Sequence, residues 1–117
     1  MKKLLLISCI AFSACSSAQK QQQAVTNDSV SCIQELIKTF SAEEKTNPPR
    51  SIYQYIYNNA TVYYVPAKCC DFFSDLYDSK CNIIAHPDGG FTGKGDGTAR
   101  DFFEKRTNEK LIWRDER

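Results

Sequence analysis

The chain has 117 residues, six cysteines, five glycines and a formal net charge of +1 at pH 7. That length holds one small domain and no more. No basic stripe of the kind that binds nucleic acid is present, and no apolar run after residue 12 could cross a membrane.

Lys2 and Lys3 form a positive segment, and residues 4–12 are apolar. Ser13-Ala14-Cys15 then places small residues directly before a cysteine. This is the layout of a secretory signal, too short for a permanent span. It predicts a signal peptide over residues 1–14 and lipidation at Cys15, whose thiol can be thioether-linked to diacylglycerol. Several acyl chains anchor stably where one is marginal. Two alternatives compete. Cys9, after Leu6-Ile7-Ser8, has the right residue types before it but leaves too short an apolar run. Cleavage after Ser16-Ser17-Ala18 would instead release a soluble secreted protein. Ser16, with no acidic residue at Ser17 or Ala18, resembles lipoproteins sorted to the outer membrane. The expected location is therefore the bacterial envelope, with the membrane as first partner.

Removing the first 14 of 117 residues leaves 103, and the loss of Lys2 and Lys3 takes the formal charge from +1 to −1. Residues 15–27 form the lipidated cysteine and a polar tether, about 20 Å across on average if it behaves as a coil. Residues 28–117 form a single small domain.

Ile33, Leu36, Ile37 and Phe40 recur with the period of an amphipathic helix. Ser31 and Gln34 have capping-box spacing, and Asn47-Pro48-Pro49 ends the region. Residues 52–57 and 61–65 are rich in β-branched and aromatic side chains around Asn58-Asn59, which predicts a hairpin. Residues 75–77 and 82–85 form a second predicted hairpin around Ser79-Lys80. Residues 101–105 read as a helical turn, and residues 111–113 as a short last strand. The fold class is α+β: an N-terminal amphipathic helix packed on a four- to five-stranded, mostly antiparallel sheet, with a glycine-rich loop and disulfide links.

Cys32, Cys69, Cys70 and Cys81 follow Cys15. An oxidising compartment and a small domain favour bridges, and four cysteines allow three pairings. A link between adjacent Cys69 and Cys70 is strained. The expectation joins Cys32 to one of that pair and Cys81 to the other, tying the helix to the sheet.

All five glycines fall within residues 86–97, His-Pro-Asp-Gly-Gly-Phe-Thr-Gly-Lys-Gly-Asp-Gly. The functional reading is a cation site, with Asp88 and Asp96 as ligands and calcium as the suited ion. As a calcium loop counted from Asp88, Gly93 falls correctly, but Ala99 stands where a bidentate Glu is needed. A phosphate loop fails too, because Gly95 follows Lys94. The plainer reading is a compact loop with several positive-φ residues, packed around Phe91. Cys69 or Cys70 with His86 as base is a thiol-enzyme constellation, against the plainer reading of structural half-cystines. Tyr53, Tyr55 and Tyr57 alternate onto one strand face with Val62 and Tyr64, and Ile52, Ile56, Tyr63 and Val65 share the other. One face covers the helix. The other, with Phe91, is a candidate binding surface unless the glycine-rich loop or last strand covers it.

Tyr63-Tyr64-Val65, Cys69-Cys70-Asp71, Leu76-Tyr77-Asp78, Pro87-Asp88-Gly89-Gly90, Thr92-Gly93-Lys94-Gly95-Asp96-Gly97 and Leu111-Ile112-Trp113 follow in order. This resembles a family of small bacterial lipoproteins of the Bacteroidetes, catalogued as a domain of unknown function. The resemblance covers about residues 32–117. It implies secretion and one compact domain, and it carries no activity or catalytic residues. Such relatives often have cysteines at the positions of Ala85 and Ala99, which implies that these two positions are spatial neighbours. The leading functional expectation is a non-catalytic envelope lipoprotein that binds a protein or ligand. A cation-binding module comes second, and a thiol-dependent or hydrolytic enzyme third.

Overall fold

The computed structural model describes residues 27–117; the segment read as a signal peptide, the expected lipidation site Cys15 and most of the expected tether lie outside the described residues. Helix α1 (Asn27–Ala42) is followed by β1 (Ser51–Tyr57), β2 (Ala60–Val65), β3 (Asp75–Tyr77) and β4 (Ile83–Ala85). A one-turn helix α2 (Phe102–Lys105) leads into β5 (Thr107–Arg114). The strands form one antiparallel sheet in the order β4-β3-β2-β1-β5. This is the predicted α+β architecture. Among the described residues no helix is long and apolar enough to cross a membrane.

The β1–β2 hairpin closes on Asn58 and Asn59, whose φ angles of 49° and 60° match the right-handed twist of the strands. Asparagine tolerates that left-handed region better than most side chains. The turn sets the register Tyr57↔Ala60, Tyr55↔Val62 and Tyr53↔Tyr64, so alternate residues separate cleanly onto two faces. On one face Ile52, Tyr63 and Val65 pack against Cys32, Leu36 and Phe40 of α1. The predicted helix stripe is displaced by one position. Cys32 is central and buried, and Ile33 and Ile37 flank it.

The opposite face carries Tyr55, Tyr57, Val62, Tyr64, Leu76 and Ala85, and α2 closes it. Phe102 is fully buried there, with ring centroids 5.5 Å from Tyr55, 5.4 Å from Tyr57 and 5.6 Å from Tyr64. Such edge and tilted contacts add to simple area burial. Arg106 lies 4.6 Å above the Tyr55 ring and donates to the Tyr55 hydroxyl at 2.9 Å. Tyr57 donates to Asp101 at 2.6 Å. The proposed open aromatic surface is therefore corrected at Tyr55 and Tyr57, which are 3% and 8% exposed. The cover is α2, which the return of the chain to the free edge of β1 draws across the sheet.

Two connections tie α1 down. Cys32 bonds Cys81, beyond β3, with Cα atoms 5.1 Å apart. At the helix C-terminus, where α1 has no basic residue in its last turn, the Arg117 guanidinium donates to the carbonyls of Phe40 at 3.3 Å and Ser41 at 2.9 Å. Buried Asp115 aims it with bonds of 2.9 and 2.6 Å. A cation there meets carbonyls that the helix itself leaves unpaired.

The predicted cysteine pairing is corrected. Cys69 bonds Cys70, and neither reaches Cys32 or Cys81. Cys69 and Cys70 precede β3 and Cys81 follows it, so they fall at opposite ends of that strand. Strand β5 is also longer than expected. Its first residues, Thr-Asn-Glu-Lys, are exposed on an edge strand and carry no apolar alternation.

Candidate functional site

Two loops meet at one end of the sheet: residues 66–74, between β2 and β3, and residues 86–101, between β4 and α2. Backbone bonds make them one unit. Ser74 N–H donates to Asp88 O at 3.1 Å, Gly90 N–H donates to Phe72 O at 3.0 Å, and Phe73 bridges Gly89. Within the second loop, Gly95 N–H donates to Gly89 O at 3.1 Å and Asp96 N–H to His86 O at 3.2 Å. The approach is close enough that a Cβ on Gly95 would overlap His86 O and the Pro87 carbonyl carbon. Backbone bonding thus holds this loop in shape. Phe91 is 91% exposed and is not its packing centre.

The polar side chains turn inward. The Tyr64 hydroxyl lies 3.0 Å from both Asp88 carboxylate oxygens and donates to that carboxylate; Ser74 Oγ is 3.3 Å away. Burial, then the adjacent Asp88 charge, pushes the Tyr64 phenol up to about 12. Ser74 Oγ also accepts from Ala67 N–H at 2.9 Å. His86 Nδ1 is 3.0 Å from Asp75 Oδ1 and 3.2 Å from Ser74 O, and its ring stacks on Phe73 at 5.2 Å. Asp96 accepts from the Thr98 hydroxyl and amide, which hold its carboxyl below the ordinary range.

The two proposed cation ligands therefore have separate partners, Tyr64 for Asp88 and Thr98 for Asp96. Among the described residues no group of three or more His, Cys, Asp or Glu side chains is gathered for a metal ion. Cys69 and Cys70 are bonded to each other, so neither is a free thiol that His86 could activate. Phe72, Phe73 and Phe91 of this unit are all exposed, as are Cys69 and Cys70 on the first loop. Tyr53 stands apart on β1, half-buried, with its hydroxyl accepting from Arg114 at 3.3 Å. Lys94, Asp96 and Arg100, with Gly95 and Gly97, line an open depression of about 570 Å³. Sequence reasoning passed over Phe72 and Phe73, although an apolar pair directly after Cys-Cys-Asp was their signal.

The class defined here is a small α+β domain, with one helix stapled to a five-stranded antiparallel sheet and an interlocked pair of loops at one end. The family described as a domain of unknown function, DUF6970, matches residues 38–115, from within α1 to the end of β5, and the chain belongs to that family. No curated protein and no solved structure matches the chain. Cys32 precedes the matched segment, so the Cys32–Cys81 bridge ties the start of α1 to the family domain.

Proposed function

We propose that this chain is a lipid-anchored protein of the bacterial envelope, on the periplasmic side of the outer membrane, and that its domain is a non-catalytic binding module. The Lys2-Lys3 segment, the apolar run of residues 4–12 and Ser13-Ala14-Cys15 support the anchor. One observation carries the binding reading: Phe72, Phe73 and Phe91 stand exposed on two loops that hydrogen-bond into one unit. Apolar groups held by ordered backbone lose little freedom on contact, and exposed apolar clusters mark interaction sites. His86 and Asp88, the groups that could do acid–base chemistry, are engaged by Asp75 and Tyr64. The partner is an envelope protein or ligand that offers apolar surface to the loop end.

Expression of the full chain in a bacterial host tests both parts. Membrane fractionation and mass spectrometry should find a mature N-terminus at lipidated Cys15, and Cys15→Ala should abolish it. A soluble product beginning at Gln19 would refute the anchor. A photo-crosslinking residue at position 91 should give a discrete envelope adduct that the same residue at position 109, on the far edge strand, does not. No adduct from position 91 would refute the binding face.

A further inference from the structure

The Cys69–Cys70 link has features that a structural staple lacks. It closes a ring of two adjacent residues and so restricts almost none of the unfolded chain, whereas Cys32–Cys81 spans a separation of 49 residues. Both of its cysteines are exposed, whereas Cys32 is 3% exposed. Cys70 sits at φ 55°, a left-handed conformation that costs a non-glycine residue free energy. The segment also communicates with its surroundings. Cys69 O accepts from Phe72 N–H at 3.2 Å, and Phe72 O accepts from Gly90 N–H at 3.0 Å.

We infer that Cys69–Cys70 is a reversible thiol–disulfide exchange site, reduced by a dithiol and coupled to the glycine-rich loop through Phe72. A thiolate of the dithiol attacks one exposed sulfur. The Cys69–Cys70 bond breaks, and the other cysteine leaves as a thiolate and takes a proton. The second thiol of the reductant then attacks the mixed disulfide and frees the first cysteine. Two electrons pass to Cys69 and Cys70, and the dithiol becomes a disulfide. Exposure and ready access place such a bond at the labile end of the disulfide range. Cys32–Cys81, with Cys32 buried under the helix and Cys81 half-buried, closes the long loop and is the more resistant internal reference. This inference does not depend on the binding role proposed above.

The test is a dithiothreitol titration of the oxidised full chain, quenched by alkylation and read by peptide mapping, so that Cys9 and Cys15 are counted separately. Cys69 and Cys70 should become alkylated at a reductant concentration at least tenfold below that needed for Cys32 and Cys81. Hydrogen exchange at the Phe72 and Gly90 amides should quicken in the same low range. Cys69→Ser/Cys70→Ser should fold and lose the early phase. Three results would overturn the inference: thiols at Cys69 and Cys70 without reductant, bridges from them to Cys32 or Cys81, or reduction of both bridges together.

Discussion

Removing the Cys32–Cys81 bridge should be among the most damaging changes this domain can suffer. In the chain-entropy treatment, opening a loop of 49 residues releases about 4 kcal/mol of constraint on the unfolded chain. Cys32 is also buried against Leu36, Phe40 and Tyr63, so Cys32→Ala/Cys81→Ala removes a packed sulfur, on the order of 1 kcal/mol more. Small domains have about 5–15 kcal/mol in all, so the loss approaches the whole at the lower end. With a urea slope of about 1 kcal/mol per molar for this size, the midpoint should fall by roughly 5 M, or the variant should be unfolded in buffer. The same treatment gives only about 1 kcal/mol for the two-residue ring of Cys69–Cys70. Cys69→Ser/Cys70→Ser should therefore move the urea midpoint by no more than about 1 M. Equal shifts, or a Cys32→Ala/Cys81→Ala midpoint within about 1 M of the parent, would refute the assignment of α1 docking to that bridge.

Four further outcomes follow from single contacts. Gly93 and Gly95 both have φ near 70°, but a Cβ at Gly93 meets open space and one at Gly95 meets backbone. Thermal melts should show Gly93→Ala losing about 1–2 kcal/mol and Gly95→Ala clearly more, and equal losses would count against the interlocked loop. Tyr64→Phe leaves the Asp88 carboxylate without its hydroxyl donor. It should cost about 1–3 kcal/mol by urea titration, with faster exchange at the Ser74 amide. Arg117 holds the Asp115 carboxyl at about 2 in the folded state, below its unfolded value near 3.9. That contribution is complete above about pH 4 and is lost as the pH falls toward 2. Stability curves of the parent and Asp115→Asn should lie apart at neutral pH and converge over that window; a constant gap would refute the pairing. Ala85 and Ala99 share the Phe102 cluster, and His86 N–H donates to Thr98 Oγ1 at 3.1 Å beside them. Ala85→Cys/Ala99→Cys should thus bridge on air oxidation, and two free thiols would exclude that proximity.

The parts of this fold that can be read from sequence are those set by local periodicity. Alternation in residues 52–57 and 61–65, with Asn58-Asn59 between, specifies the central hairpin and its two faces before any tertiary contact is known. The 3.6-residue recurrence from Ile33 to Phe40 specifies the helix, with an error of one position in which residue is central. What cannot be read locally is which distant segment covers which face. Phe102 and Phe103 have no periodicity of their own, and only the return of β5 to the free edge of β1 draws Phe102 over Tyr55 and Tyr57 and Phe103 over Tyr64. Cysteine pairing has the same character, because β3 separates Cys69 and Cys70 from Cys81.

The candidate site inverts the order in which its residues attract notice. His86, Asp88 and Asp96 are chemically the most conspicuous, yet each makes hydrogen bonds that shape the loop. Phe91 looks like a packing residue and is open to solvent. The reason is physical. A loop with five positive-φ glycines bonds its backbone to itself and to residues 72–74 of the neighbouring loop. It therefore has no need of an apolar centre, and its carboxylates serve as acceptors for the groups that the close approach would leave unpaired. What the two paired loops leave exposed for interaction is Phe91 on the glycine-rich loop, with Phe72, Phe73 and the Cys69–Cys70 link on its neighbour. A search for function by acids and bases would stop at Asp88 and Asp96, whereas the apolar side chains exposed to a partner are Phe72, Phe73 and Phe91.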